Sequence, residues 1–227
     1  MAAPDDDDPV GYASPPCLLH ELDPAYRDLG ATDELQAARD VARWRKVERE
    51  RLLRSRQALA VATRRRVAEC IADGLDEALG DVSGRVIAGY WPIRAEPNLR
   101  AWMAAVTGRG AVCALPVVVA RGQPLEFHRW RPGDRLVPGF WNIPVPAAAD
   151  PVEPGIVLAP LVGFDGVGFR LGYGGGFFDR TLAARRGRVR AIGVGYASAR
   201  LATIRPQWHD VPMDLIVTEE GIHRTGS

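Results

Sequence analysis

Residues 161–182, LVGFDGVGFRLGYGGGFFDRTL, combine the residue types that a polyphosphate site needs. The glycines between positions 172 and 176 lack a Cβ, so the backbone there can bend sharply and surround an anion with its N–H groups. If a helix begins at Phe177, its unpaired N–H groups and its positive dipole end face the same loop. Arg170 adds a fixed positive charge, and Asp179 adds a carboxylate that can hold a metal ion. The segment therefore predicts a phosphate-binding loop, with a glycine-rich hairpin as the alternative.

The composition is that of a soluble globular protein, because 47% of the 227 residues are apolar and 25% are charged. No apolar run is as long as a membrane span, and residues 1–30 lack the pattern of a signal peptide. We therefore expect a cytoplasmic protein without membrane contact. Cys17, Cys70 and Cys113 are widely spaced and form no CxxC pair. We interpret them as one thiol in the N-terminal segment and two core positions, not as a disulfide framework or a zinc site.

The net charge of +1 hides an asymmetry along the chain. Residues 1–40 contain ten Asp and Glu against two Arg, whereas the remainder contains 27 Lys and Arg against 18 Asp and Glu. A basic body favours an anionic ligand, which could be a nucleotide, a polyacidic small molecule or nucleic acid. Residues 1–40 also lack a sustained apolar period. We predict a mostly disordered acidic extension there, with a short helix near 34–42, before a folded domain at 41–227.

The first predicted helix carries two arginines that are placed to reach one ligand. Residues 41–59 have an apolar side and an arginine-rich side, on which Arg45 and Arg49 stand at i and i+4. A merely solvated basic face is the alternative. A second helix is predicted from Thr63, as its N-cap, to residue 79, with Cys70 among its inward-facing positions.

Strands that are apolar on both sides alternate with helices, which predicts a single-domain α/β three-layer sandwich with a largely parallel sheet. Ligands of such sheets bind beyond the carboxyl ends of the strands, where Glu96, Asp165 and the glycine loop fall. The glycine-rich segment matches neither the dinucleotide fingerprint GxGxxG with a later acid nor the P-loop, so an ordinary dehydrogenase or P-loop enzyme is disfavoured. The predicted strands are 85–91, 111–120, 125–130, 155–162, 190–196 and 215–218, the further helices are 96–107 and 177–186, residues 136–146 are predicted irregular, and 215–218 is predicted to close the sheet.

The stretch from Phe164-Asp165 through the glycines to Asp179-Arg180 closely resembles the signature of 5-formyltetrahydrofolate cyclo-ligases, also called methenyltetrahydrofolate synthetases. The resemblance covers about residues 41–222 and leaves the acidic extension outside. It implies a fold similar to the sugar-isomerase and CoA-transferase (NagB/RpiA-like) group. Outside the signature, the match includes the basic first helix, the Pro-x-x-x-Glu segment ending at Glu96, Pro116, the segment Gly-x-Trp-Asn-Ile-Pro at 139–144, and His209-Asp210.

The resemblance implies the ATP- and Mg²⁺-dependent conversion of 5-formyltetrahydrofolate to 5,10-methenyltetrahydrofolate, with release of ADP and phosphate. The formyl oxygen is a poor leaving group, so its phosphorylation activates the carbon for attack by N10. Catalysis then consists mainly of positioning and of neutralising phosphate charge. The implied partners are small molecules, namely ATP and the folate with or without a polyglutamate chain. Neither nucleic acid nor a membrane is expected, and we expect a monomer.

The resemblance also assigns roles to single residues. Arg170 and Asp179 are expected to be catalytic, and Asp179 and Asp210 are expected to hold Mg²⁺. Glu96 would accept hydrogen bonds from the pterin. The ATP-binding set is Arg45, Arg49, Arg170, Leu171, Gly172, Tyr173, Gly174, Gly175, Gly176, Phe177, Phe178 and Trp141, and the folate-binding set is Trp91, Glu96, Tyr173, Gly174 and Phe178.

Several of these residues have structural alternatives. Asp179 could be a first-turn helix carboxylate or a partner of Arg180, and Asp210 could only form a turn. Glu96 could be an N-terminal helix acid. The aromatic side chains could belong to the core, as strand-end aromatics often do; they are Trp91, Trp141 and Phe178.

The sequence departs from the family pattern at three places. Arg45 stands where the family usually has Lys, which keeps the charge and changes the hydrogen-bond geometry. Phe177 and Phe178 replace the usual pair of tyrosines, and Val145 stands where a polar residue is common. None of these changes removes a charge from the phosphate or metal residues.

Three other functions remain open at this point. A basic helix and a glycine- and aromatic-rich loop could bind single-stranded nucleic acid. A family member could bind folate or nucleotide without turnover. An enzyme of the same fold could act on a sugar phosphate, although the arginine helix and the position of Asp179 favour the cyclo-ligase reaction.

Overall fold

A computed structural model describes residues 31–225 of the chain. The first helix, α1, spans Ala31–Ala58 without interruption, so the predicted boundary at residue 40 falls inside a helix. The acidic run 5–8 and Cys17 lie outside the described residues. In the described part of the chain, no helix has both the length and the apolarity that crossing a bilayer requires.

A seven-stranded sheet forms the centre of the molecule, with strand order β11-β10-β9-β6-β1-β2-β3. The inner strands pair in parallel, and only the edge strands β3 and β11 run antiparallel to their neighbours. The largely parallel α/β sheet predicted from the sequence is therefore confirmed. The strands are β1 (Val86–Ala88), β2 (Val112–Val117), β3 (Glu126–Arg129), β6 (Ile156–Pro160), β9 (Arg190–Val194), β10 (Leu215–Thr218) and β11 (Gly221–Arg224).

Helices cover both faces of the sheet, which gives three layers. Helices α2 (Val61–Leu79) and α3 (Arg100–Gly108) pack on one face, where Leu75 and Met103 share a buried cluster with Ile87. Helices α1 and α4 (Phe177–Ala184) pack on the other face through a second buried cluster. Adjacent residues of one strand, such as Ile87 and Ala88, belong to opposite clusters, as the alternation of side chains along a strand requires.

The segment after β6 positions the glycine loop. Strands β7 (Gly163–Phe164) and β8 (Arg170–Leu171) form a short antiparallel pair, and the loop runs from β8 into α4. Asp165 closes the turn between them, because its carboxylate accepts hydrogen bonds from the backbone N–H groups of Val167 (3.2 Å), Phe169 (3.1 Å) and Ile204 (3.1 Å). Asp165 is thus a buried structural residue that fixes where Arg170 emerges.

The structure corrects two predictions on the α2 and α3 face. Helix α2 begins at Val61 with Ala60 as its N-cap, so Thr63 is not the cap, and Cys70 is exposed and not in the core. Helix α3 begins at Arg100, so Glu96 lies in the preceding loop and is not a residue of the helix.

Two further corrections concern β structure. Residues 136–146, predicted irregular, form an antiparallel hairpin of β4 (Leu136–Pro138) and β5 (Pro144–Pro146). The two strands are joined by a 3-10 turn at Phe140–Asn142. Strand β10 does not close the sheet, because β11 pairs with its outer edge.

Candidate active site

The glycine loop has the backbone conformation that its sequence predicts. Gly174 and Gly176 have φ angles of 99° and 62°, in the region that side chains with a Cβ rarely adopt. Gly176 is the N-cap of α4 in a left-handed conformation, and the helix begins at Phe177 as predicted. The first turn of α4, with its unpaired N–H groups, therefore adjoins the loop.

Arg170 and Asp179 face each other across this loop. An Arg170 Nη2 lies 3.0 Å from Asp179 Oδ1, and the two side chains are 4% and 15% exposed. Although the charges are close, Arg170 Nε and Nη2 have no hydrogen-bond partner of suitable geometry among the described residues. A buried guanidinium with unsatisfied N–H donors costs free energy unless a ligand accepts hydrogen bonds from them. Arg170 therefore fits an anion such as phosphate.

Helix α1 brings the two predicted arginines to the loop. Arg49 Nε donates to the Gly172 carbonyl at 2.7 Å, and the Arg49 guanidinium lies beside Gly174. Burial, followed by the nearby charge of Arg45, lowers the pKa of Arg49 from its ordinary value. Arg45 pairs with the carboxylate of Asp210 and donates from Nε to the Ile204 carbonyl at 3.1 Å.

The two predicted metal ligands are neighbours. Asp179 Oδ1 accepts from the N–H of Val211 at 3.3 Å, the residue that follows Asp210. Asp210 in turn accepts from the Gln207 N–H at 2.6 Å, so the turn-forming role considered for it is also present.

The two carboxylates suit a Mg²⁺ ion that is bound by few protein ligands. No group of three or more His, Cys, Asp or Glu residues forms a ready metal cage within residues 31–225. Mg²⁺ commonly uses one or two carboxylates together with substrate phosphates and water. Asp179 and Asp210 each pair with an arginine that could bind a phosphate in place of the carboxylate. The two carboxylates therefore fit a magnesium–nucleotide complex.

Glu96 is linked to the glycine loop by a buried chain of hydrogen bonds. Glu96 is only 5% exposed, and its Oε2 accepts from the Ile93 N–H at 2.9 Å. Its Oε1 accepts from the Tyr173 hydroxyl at 3.0 Å, and Arg56 Nη2 donates to the same hydroxyl at 2.5 Å. Burial raises the pKa of Glu96 to about 7, while the Ile93 N–H and the Arg56 charge oppose the rise.

The aromatic residues are divided between the faces of the sheet. Trp141 is 56% exposed, and its ring lies edge-on to Phe177 with centroids 5.8 Å apart. The ring of Phe178 lies 5.4 Å from the Arg170 guanidinium. Trp91 packs on the opposite face with the α2 and α3 core, under the guanidinium of Arg100 at 4.8 Å. The structure therefore brings Trp141 and Phe178 to the loop but does not group Trp91 with them.

The sequence analysis missed two residues that hold the site. Arg180 donates to the Gly175 carbonyl and so fixes the loop from within α4. Arg56 contacts Tyr173, as described above. The spacing could have identified Arg56, since it lies at i+4 from the buried Leu52 and at i+7 from Arg49, on the same helix face.

The fold and the site define an α/β protein in which a glycine loop with a buried arginine lies beside a buried carboxylate. The family model of the 5-formyltetrahydrofolate cyclo-ligase family matches residues 41–219. The chain therefore belongs to this family of enzymes, as the resemblance in its signature predicted. The similarity to the sugar-isomerase and CoA-transferase group remains a prediction, as does the boundary of the acidic extension.

Individual relatives agree with this assignment. A 5-formyltetrahydrofolate cyclo-ligase from Mycolicibacterium smegmatis is 32% identical over 184 residues, covering 73% of this chain and 94% of the relative. The NMR structure of 5,10-methenyltetrahydrofolate synthetase from Aquifex aeolicus matches with a TM-score of 0.69 at 28% identity, covering 81% of this chain and 93% of that one. The synthetase from Mycoplasma pneumoniae shares the fold, with a TM-score of 0.63 at 22% identity over 77% of this chain and 98% of that one.

Proposed function

We propose that the protein converts 5-formyltetrahydrofolate to 5,10-methenyltetrahydrofolate at the expense of ATP, with Mg²⁺ as the metal. Family membership supports the reaction class. The observation that carries the use of ATP is the buried Arg170 guanidinium, whose Nε and Nη2 donors are unsatisfied beside a glycine loop.

The loop and α1 hold the nucleotide in this proposal. Arg170, Arg49 and the backbone N–H groups around Gly174 surround the phosphates, and the start of α4 adds its positive dipole end. Asp179 and Asp210 would hold Mg²⁺, and the metal would supply neutralisation of phosphate charge. Arg170 and Arg45, which pair with these carboxylates in the structure, would then be available to the phosphates.

The chemistry proceeds in two displacements. The formyl oxygen attacks the γ-phosphorus, the bond to the β–γ bridging oxygen breaks, and ADP leaves. N10 then attacks the activated formyl carbon, phosphate departs with the former formyl oxygen, and the proton of N10 is released. The protein supplies orientation and charge stabilisation for these steps. Glu96 orients the pterin by accepting hydrogen bonds from the N–H groups of the pterin.

The test is a direct assay of the purified full chain with 5-formyltetrahydrofolate, ATP and Mg²⁺, in which the methenyl product is followed by its ultraviolet absorbance. We expect product only when ATP and a divalent metal are both present. ATP binding without product under any divalent metal would instead identify a homologue that binds without turnover. Salt-dependent retention of RNA at physiological ionic strength would favour the nucleic-acid alternative.

The small-molecule character of the partners is supported by the family. The monomeric state and the cytoplasmic location remain predictions from the sequence, and size-exclusion chromatography with light scattering would test the first of them.

A further inference from the structure

Arg56 contacts three segments of the site from a single side chain. Its Nε donates to the Arg94 carbonyl at 3.0 Å, its Nη1 to the Leu161 carbonyl at 3.3 Å, and its Nη2 to the Tyr173 hydroxyl at 2.5 Å. Arg94 lies in the loop that carries Glu96, and Tyr173 lies in the glycine loop. Arg56 is 5% exposed, and a buried arginine with this set of partners is costly to place unless it stabilises something specific.

The carboxylate of Glu96 is the group that these contacts serve. A carboxylate offers about four acceptor positions, and in this structure Ile93 N–H and Tyr173 O–H use one on each oxygen. The Tyr173 hydroxyl has one proton, and because it accepts from Arg56 it is directed to donate that proton to Glu96. The direction of hydrogen-bond donation is therefore fixed: the guanidinium donates to the hydroxyl, and the hydroxyl donates to the carboxylate. Any acceptor position of the carboxylate beyond these two contacts could take an N–H donor of a pterin edge.

We propose that Arg56, acting through the Tyr173 hydroxyl, is a positioning residue that favours the ionised form of Glu96 and orients it as a hydrogen-bond acceptor for the folate. This inference rests on the proposed function in that it takes a pterin as the ligand of Glu96. A neutral Glu96 would carry a proton toward the N–H donors of the pterin and would lose the match.

The charge balance around Glu96 shows why the arginine is needed. Burial is the largest influence on the Glu96 pKa and raises it to about 7, and the Arg56 and Arg94 charges oppose it. Tyr90 and Tyr173 also face the carboxylate, and the pKa of each phenol is raised by burial and by the Glu96 charge, so both remain neutral donors. Burial is the largest influence that raises the pKa of Tyr196, and the Glu96 charge adds to it, but the Tyr196 hydroxyl donates to the Ala95 carbonyl at 2.8 Å and not to Glu96. Arg56 is thus the cation that reaches Glu96 from a different element of the fold.

The decisive measurement is the titration of Glu96 in the ligand-free protein, followed by carboxyl-¹³C NMR and assigned with Glu96→Gln. The wild type should titrate near pH 7. Arg56→Met should move the midpoint upward by about one pH unit or more, because an adjacent opposite charge shifts a carboxyl by about 1–3 units. Arg56→Lys should recover much of this change, since it restores the charge but not the fork of donors.

Tyr173→Phe provides a second variant with almost the same shape, in case Arg56→Met fails to fold. It should also raise the midpoint, because Glu96 loses a donor. Arg54→Met, at an exposed arginine of the same helix, and Tyr196→Phe, which loses a hydrogen bond to the same loop, are the matched controls and should leave the midpoint unchanged. Equal midpoints in Arg56→Met, Tyr173→Phe and wild type would overturn the proposal.

The kinetic consequence separates positioning from a merely structural role. For Arg56→Met at pH 7, we expect a KM for the folate that is about fivefold higher, because a midpoint raised from about 7 to about 8 lowers the ionised fraction of Glu96 from about one half to about one tenth. This increase should disappear as the pH is raised toward 9, with kcat little changed. A KM that stays high at pH 9, or an Arg56→Lys variant as impaired as Arg56→Met, would show that Arg56 only maintains the fold.

The two experiments also distinguish this inference from the proposed function. The NMR titration needs no substrate, so shifted midpoints in a protein that forms no methenyl product would overturn the proposed function alone. Normal turnover with unshifted midpoints would overturn the role of Arg56 alone.

Discussion

Arg170 and Asp179 lie 3.0 Å apart, nine residues from each other in sequence, with the glycine loop folded between them. The ion pair is nearly buried, and yet two donors of the guanidinium remain without a hydrogen bond. The ion pair therefore leaves part of the hydrogen-bonding capacity of the guanidinium unused. In the proposed magnesium–nucleotide complex, a phosphate would bind the arginine and the metal would bind the carboxylate.

Replacing Arg170 should weaken nucleotide binding. A charge-assisted hydrogen bond contributes about 1.5–3 kcal/mol, so Arg170→Ala should lower ATP affinity roughly ten- to a hundredfold. Isothermal titration with ATP and Mg²⁺ measures this change. Arg186→Ala removes an exposed arginine near the end of α4 and serves as the matched control. If Arg170→Ala bound ATP as tightly as the control variant, Arg170 would not belong to the nucleotide site.

Asp179 should matter mainly for the use of metal. Asp179→Asn keeps the size of the side chain and removes its charge, so we expect the Mg²⁺ concentration for half-maximal activity to rise. We also expect kcat to fall about a hundredfold or more, as for the loss of other preorganised transition-state groups. Activity measured across a Mg²⁺ titration checks both effects. Asp73→Asn, at an exposed position of α2, is the control, and an Mg²⁺ dependence identical to it would place the metal elsewhere.

Trp141 should affect the nucleotide without affecting stability. Its ring is 56% exposed and edge-on to Phe177, so truncation removes little buried surface. Because stacking of an aromatic ring on a base contributes about 1–3 kcal/mol, Trp141→Ala should raise the KM for ATP roughly five- to a hundredfold. Steady-state kinetics and thermal unfolding test the two statements together. Trp208→Ala is matched in residue type and even more exposed, at 87%, and a change in KM as large for Trp208→Ala would exclude a specific role for Trp141.

Glu96 should make the stability of the protein depend on pH. Its pKa is about 7 in the folded state against an ordinary value of 4.5, so the folded state binds the proton more tightly than the unfolded chain. The free energy of unfolding should therefore fall as the pH rises from about 4.5 to 7, by about 3 kcal/mol at most, and this contribution is fully present only at the acidic end.

Chemical denaturation of wild type and Glu96→Gln at pH 5 and pH 8 measures this dependence. The variant lacks the titrating group, so its stability relative to wild type should be better at pH 8 than at pH 5. Glu69→Gln, at an exposed position of α2, is the control. The same difference from wild type at both pH values would contradict a raised Glu96 pKa.

The elements that the sequence predicts well are those with a single strong pattern. Strands β6 and β9 are apolar on both sides because helices cover both faces of the sheet. Helix α4 begins at Phe177 because Gly176, in a left-handed conformation, is its N-cap. Residues 136–146 were predicted irregular, but they form a two-stranded hairpin, which tolerates Pro138, Pro144 and Pro146 at positions that need no N–H donor.

The residues of the candidate site likewise fall into those that the sequence predicts and those that it does not. The signature motif identified Arg170, Asp179 and the glycine loop, because these residues are close in sequence. Arg56 was missed although it shares a helix face with Leu52 and Arg49, because its partner Tyr173 is 117 residues away and the helix pattern does not indicate which residue it contacts. Trp91 was grouped with Phe178 by resemblance, whereas Trp91 packs with the α2 and α3 core and Phe178 packs against the cluster on the other face of the sheet.

Helix α1 is a single uninterrupted rod that carries Arg45, Arg49 and Arg56. With a rise of 1.5 Å per residue, the eleven residues from Arg45 to Arg56 span about 16 Å along the axis. The first two contact Asp210 and the glycine loop, and the last contacts the Glu96 loop. The number of residues between them therefore sets the separation of the proposed nucleotide and folate ends of the site. One residue inserted between Arg49 and Arg56 would turn Arg56 by about 100° away from Tyr173, so the length of this segment is a dimension of the enzyme that substitutions cannot adjust.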